Sequence, residues 1–161
     1  MSMLKESIKI ALEERPTRPE LGDEISIHLS KVVFTSLFDL GTAGEGFLYH
    51  AGRHLGEALV EMGEVGGADI EEVLEALIRV LTKLRLGKFT LLKVENDAAT
   101  LQVDECYFCS GLPVVQRRVC FYDLGMLSGV LTTALEAEFE VKETKCNCMG
   151  DKVCEYEVRR I

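Results

Sequence analysis

Three cysteines crowd the stretch KCNCMGDKVC, Lys145 to Cys154, and a fourth, Cys120, stands at the head of an apolar run. Thiolates at strand and helix ends, folded together by a glycine turn such as Met149-Gly150-Asp151, are well placed for the roughly 2.3 Å bonds that zinc makes to sulfur. A disulfide, a redox centre or buried thiols acting as small hydrophobes are the competing readings. Side chains alternate along a strand, so Cys154 shares a face with Tyr156 and Val158, and that face reads as inward.

A second cysteine pair, Cys106-Tyr107-Phe108-Cys109, has the spacing of a redox couple or of half a zinc ribbon. A thioredoxin-like pair opens a helix, whereas Ser110-Gly111-Leu112-Pro113 continues as a loop, so redox catalysis is disfavoured. Two buried or loop thiols are the primary reading; a second metal site, or an all-thiolate site shared with the C-terminal turn, is the alternative. His50 and His54 are four apart and share a helix face, but Ala51 stands where a zinc protease needs Glu, so packing or a surface position suits both better. His28 has no visible partner. The chain has no glycine-rich nucleotide loop and no nucleophile elbow, so catalysis has no sequence signature.

The elements that must position these residues are legible in outline. Apolar residues at helical spacing predict a helix from Met3 to about Glu14, loosely attached through the connector Arg15-Pro16-Thr17-Arg18-Pro19; residues 1–22 are thus an N-terminal helix with its linker, and 23–161 a single domain. Ile27 to Phe38 reads as a buried helix. Gly44 to Gly63 carries Gly52 and Gly56 four apart, where another backbone can approach closely. Asp69 with Glu72 three residues on opens a strongly amphipathic helix, with Gly87 as its stop. Lys88–Glu95 and Ala99–Glu105 then read as a hairpin across Asn96-Asp97-Ala98, with Leu101 and Val103 on one face. A late helix covers Phe121 to Ala137, with Gly125 and Gly129 as a second small pair, and Phe139–Lys145 and Val153–Arg159 are the last strands. Helices first, then about four antiparallel strands with one helix inserted, make an α+β domain.

With 161 residues, 47% of them hydrophobic, the chain supports one core. Its 18 basic and 27 acidic side chains give a net charge of -9, which disfavours nucleic acid and anionic lipid. The apolar run Leu124–Leu135 is too short for a membrane span, which needs about 20 residues. No secretory pattern opens the chain, and the expected location is cytoplasmic, where six cysteines suit metal ligation or burial better than disulfides.

Beyond these readings, the chain resembles the 4-vinyl reductase domain family, whose fold is related to transport-particle subunits and heme nitric oxide sensor domains, and within it the archaeal-type stand-alone hydrocarbon-binding proteins. The resemblance runs from about Pro19 to the C-terminus. It rests on Leu48-Tyr49-His50-Ala51-Gly52-Arg53 with Gly56, on Glu105-Cys106 and Cys109-Ser110-Gly111-Leu112-Pro113, on Cys120 with Gly125 and Gly129, and on Glu143, Cys146, Gly150-Asp151, Cys154 and Tyr156. In zinc-bearing relatives, such as the sensor domains of phenol-responsive transcription activators, three cysteines and a glutamate hold the metal. Matching positions imply zinc on Cys120, Glu143, Cys146 and Cys154, with the extra thiol Cys148 as an alternative to Glu143. Because Glu143 and Cys146 would fall on opposite faces of a continuous strand, the chain must bend or end near Thr144 for both to bind.

The resemblance further implies an apolar pocket for a small hydrophobic molecule, with Tyr107, Phe108, Phe121 and Tyr122 as candidate lining residues. The chain has no tryptophan, so phenol specificity is not carried over. The resulting expectation is a zinc-containing module for binding or sensing a hydrocarbon-like ligand, without its own output domain, that acts through a homodimer or another protein. An accessory subunit or enzyme of tetrapyrrole vinyl reduction, and a protein-interaction scaffold like the transport-particle subunits, are the alternatives. The sequence identifies neither the ligand nor the partner.

Overall fold

The structure, a computed structural model, describes residues 2–161. Five α-helices, α1 (Met3–Glu13), α2 (Ile27–Ser36), α3 (Thr42–Glu61), α4 (Ile70–Lys83) and α5 (Phe121–Leu135), accompany four strands: β1 (Lys88–Glu95), β2 (Ala98–Asp104), β3 (Phe139–Lys145) and β4 (Cys154–Arg160). The strands form one antiparallel sheet in the order β1-β2-β4-β3. α5 is inserted between β2 and β3, as the order of periodicities predicts.

Local chemistry explains the helix starts. The Asp69 side chain accepts from the Glu72 backbone N–H at 2.9 Å, and the Glu72 carboxylate reaches back to the Ala68 N–H at 2.8 Å, a shifted form of the reciprocal cap. α4 then buries Ile70, Val73, Leu74, Leu77 and Leu81. It ends before Gly87: Arg85 takes the left-handed conformation and the Leu86 N–H returns to the Leu81 carbonyl. Gly87 instead packs against Val103.

In the sheet the alternation is strict where it matters. Ala99, Leu101 and Val103 of β2 face the core beside Val158, Tyr156 and Cys154 of β4, with which they pair directly. That row, covered by α4 and α5, places the first thiol of β4 at the end of the sheet nearest the start of α5.

Small residues bring α3 and α5 together. A Cβ on Gly52 would strike the Tyr122 carbonyl and one on Gly56 the Met126 carbonyl, while Gly125 and Gly129 meet the carbonyls of Tyr49 and Arg53 in return. The two glycine pairs therefore face each other. Their cost in helix propensity, roughly 1 kcal/mol each, is offset by close packing of two backbones and by the core residues Leu48, Leu55, Leu59, Leu127 and Leu131 around them.

Two features differ from the sequence-based expectation. α1 is not loosely attached: it packs on α3 through the buried Ile8 and Leu12, with Lys5 paired to Glu61. α2 forms at Ile27–Ser36 but buries no residue fully, and Ile27, Leu29, Val32 and Val33 are exposed. Dense apolar content sets the helix; whether a neighbour covers it is decided by the rest of the fold, which here meets only the side of Phe34 and Phe38.

Gly56→Ala is expected to lower stability by about 1–3 kcal/mol, the usual range for overpacking, whereas Gly46→Ala in the same helix, whose Cβ meets nothing within 4 Å, should be neutral or mildly stabilising. Urea denaturation of both variants checks the contrast.

Candidate metal centre and adjoining cleft

Three chain segments deliver six donor groups to one place. Beyond β2, Glu105 turns left-handed, and Cys106 and Cys109 lie on a tight turn closed by the Ser110 N–H on the Cys106 carbonyl at 2.9 Å. Cys120 is the residue before α5, and its carbonyl accepts the Leu124 N–H. β3, the C-terminal turn and β4 bring Glu143, Cys146 and Cys154. All six are buried.

The required bend is present. The register between β3 and β4 shifts between Glu143 and Lys145, so Thr144 is a bulge whose hydroxyl is held by Glu155. An extra residue reverses the alternation, and Glu143 and Cys146 both point inward. The following turn is built to hold this shape: Gly150 is left-handed, and the Asp151 carboxylate accepts the Cys146 N–H at 2.9 Å.

Cys120, Glu143, Cys146 and Cys154 have donor atoms within 4.8 Å of one another. A second set, Cys106, Cys109, Cys120 and Cys154, meets the same limit. Measured sulfur separations are 3.1 Å for Cys109 to Cys154, 3.7 Å for Cys106 to Cys120 and 3.9 Å for Cys120 to Cys154. Four sulfurs at roughly 2.3 Å from a tetrahedral ion lie about 3.8 Å apart, so the cluster is close to the size of such a site.

Sequence reasoning placed the first set correctly in space but set Cys106 and Cys109 aside as separate thiols; the structure brings both into the cluster. The C-x-x-C spacing was the available signal. Cys148 is buried but belongs to neither set. His50 and His54 are exposed on α3, His54 beside Glu57 at 3.3 Å.

The electrostatics of the cluster call for a cation. Both carboxylate oxygens of Glu143 are buried with no hydrogen-bond partner, as is Oδ1 of Asp123, whose Oδ2 accepts from the Tyr156 hydroxyl at 2.9 Å. A buried carboxylate left without partners costs several kcal/mol as an anion. Accordingly burial, and then the neighbouring Cys146, push the Glu143 carboxyl up to about 9. Asp123 is raised for the same reason, burial first and Cys106 second. Among the thiols, hydrogen bonds from Cys109 and Cys120 hold Cys146 below the usual range, while Cys120 is pushed up by Cys106. The group as a whole ionises fully only if positive charge is supplied, and among these donors a thiophilic divalent ion is the fitting source. Thiolate-rich tetrahedral donors with one carboxylate match zinc and leave no open position for a catalytic water.

Beside the cluster opens a cleft of about 510 Å³ between α2 and the segment 112–119. Phe38, Leu112, Pro113 and Val115 form its walls, with Val119 and Cys148 among the residues that line it. The Val115 and Gln116 N–H groups both donate to the Cys148 carbonyl, at 2.9 and 3.0 Å, so the rim is tied to the C-terminal turn. Lys31 donates to the Ser110 carbonyl, and Arg117 pairs with Glu45 while lying 5.4 Å from the Phe38 ring centre. Of the aromatic residues expected at a pocket, Tyr107, Phe108 and Tyr122 pack around Phe34 in edge-on and tilted contacts, and Phe121 is half-buried at the start of α5. None of the four lines the cleft.

Residues 99–160, which contain all six donors and much of the cleft wall, match the family model of the vinyl-4-reductase domain. The chain carries a vinyl-4-reductase domain. An uncharacterised protein of Methanocaldococcus jannaschii is 26% identical over 97% of this chain and 88% of its own length. The phenol-responsive sensory domain of the transcription activator PoxR, solved with phenol, superposes with a TM-score of 0.67 at 15% identity, covering 99% of this chain and 92% of that one. A vinyl-4-reductase family protein from M. jannaschii gives 0.66 at 18%, over 98% and 92%. Subunit 3 of a trafficking protein particle complex from Naegleria fowleri, covalently bound to palmitic acid, gives 0.61 at 19%, over 84% and 97%. At these identities the vinyl-4-reductase domain shares their fold.

Glu143 sets a sign for pH dependence. In the metal-free protein its folded pKa lies above the ordinary 4.5, so its stabilising contribution is complete below that value and is lost as pH rises through about 9. Denaturant titrations of metal-free protein should show stability falling across this window, with a flatter decline in Glu143→Gln. Metal displaces the proton, so metal affinity should run the other way and rise with pH.

Proposed function

We propose that this chain is a zinc-containing module that binds a small hydrophobic molecule in the cleft beside its metal centre and passes the bound state to another protein surface. The observation that carries the metal half is Glu143: a buried carboxylate with two unpartnered oxygens set among Cys120, Cys146 and Cys154. These four residues would hold the ion. It would supply structural cross-linking, joining the C-terminal turn to the start of α5, rather than a site for reaction. Binding energy at such a site is folding energy.

The ligand half is supported by the cleft's apolar walls and by its position. The backbone that rims it is hydrogen-bonded to the turn that carries Cys146 and Cys148, so occupancy and metal-site geometry are mechanically joined. Two proteins with this fold were solved with small apolar or aromatic molecules, phenol in one and palmitic acid in the other. A surface that could relay the bound state lies on α2, one wall of the cleft, whose outer side is apolar and exposed. A homodimer built on that helix is the simplest arrangement, and the cytoplasm, where thiols stay reduced, is the compartment that suits the site.

Protein purified without chelator is expected to contain at least one zinc per chain by elemental analysis, and Cys154→Ser to lose zinc and several degrees of melting temperature. Metal-free, fully folded protein would overturn the metal reading. For the ligand, phenol and palmitic acid serve as probes of thermal stability: saturation at 100 times the dissociation constant stabilises by about 2.7 kcal/mol. Leu112→Trp, which fills the cleft, should abolish the shift and leave zinc content unchanged. No shift with either probe, together with no apolar molecule in native mass spectra, would remove the ligand reading.

A further inference from the structure

The two candidate donor sets are not rivals for one position. They share two members, Cys120 and Cys154, and each has two of its own: Glu143 and Cys146 in one, Cys106 and Cys109 in the other. Two tetrahedra that share an edge have this composition, two bridging ligands and two terminal ligands on each centre. The shared pair is 3.9 Å apart, close to the roughly 3.8 Å edge of a zinc-thiolate tetrahedron. We propose that the chain holds a pair of thiophilic divalent ions bridged by the Cys120 and Cys154 thiolates, the second ion sitting on Cys106 and Cys109.

A separate observation points to charge at the far end of the cluster. Asp123 lies at the first turn of α5, almost fully buried, with Oδ1 unpartnered and Oδ2 3.7 Å from the Cys106 sulfur. A lone ion on the Glu143 side leaves this second buried carboxylate unexplained. An ion on Cys106 and Cys109 gives it a cation nearby, and its bond from Tyr156 holds it as an outer partner that orients a ligand rather than as a ligand itself. The charge balance is reasonable as well. Six anionic donors around two divalent ions carry a formal charge of -2, the value of one such ion on four thiolates. No electron transfer is involved: each ion exchanges for the protons of its ligands. This inference rests on the first metal site proposed above, and its test separates the two.

Full-length protein saturated with zinc and transferred to volatile buffer should show two zinc ions per chain in native mass spectra. Glu143→Gln combined with Cys146→Ser should reduce the count to one, and so should Cys106→Ser combined with Cys109→Ser. Cobalt(II) replacing zinc should give an electron paramagnetic signal that grows to one equivalent and then shrinks as the second ion couples through the bridging sulfurs. Saturation of the wild type at one ion overturns the pair, and needs no variant to fold. If that one ion survives Cys109→Ser but not Cys146→Ser, the first site stands alone. If it survives Glu143→Gln but not Cys109→Ser, both readings fall. Two ions with undiminished cobalt signal overturn the shared bridge.

Discussion

Backbone contact between α3 and α5 is the constraint from which the rest of the molecule follows. Four glycines, two on each helix, let carbonyls of one helix lie where side chains of the other would stand. This fixes the position and direction of α5, and with them the place of Cys120 before its first turn, against the row of inward residues on β4. A larger residue at any of these glycines would push the start of α5 away from the sheet, and the thiol would leave the cluster. The metal centre thus depends on a contact made entirely by groups that carry no metal-binding chemistry.

Within that frame, one extra residue decides which side chains meet. Strand alternation alone would send Cys146 to the solvent side if Glu143 faces the core. The bulge at Thr144 reverses the sense, and the Asp151 cap with left-handed Gly150 holds the turn so that β4 returns with Cys154 in place. The resulting cluster is anionic and dry, which makes it unfavourable without a counter-charge. Stability of the C-terminal hairpin and occupancy of the site are therefore two aspects of the same free energy.

Much of this was legible from residue order, and the parts that were not have physical reasons. The Asp69 cap, the inward faces of β2 and β4 and the bend demanded near Thr144 are local properties, set by spacing within a few residues. Both glycine pairs announced close packing, though not that they would face each other. Cys120, Glu143, Cys146 and Cys154 came from family resemblance, and the structure brings them within ligand distance of one another. Cys106 and Cys109 were harder to place. Their arrival depends on the left-handed turn at Glu105 and on the register of β2 against β4, which are tertiary facts with no local signature. α2 failed differently: an apolar-rich helix reads as core, but its surroundings come from distant segments.

The exposed character of α2 bears on how an apolar molecule reaches the cleft. A helix with no fully buried residue has little to lose by lifting, and local opening of such a segment lies well below the free energy of global unfolding. Its tethers to the 106–119 segment are Phe34 among the neighbouring aromatic rings and Lys31 on the Ser110 carbonyl. The wall on that side behaves as a hinged door against a rigid frame, so entry and exit proceed while the clustered thiols and the sheet stay assembled.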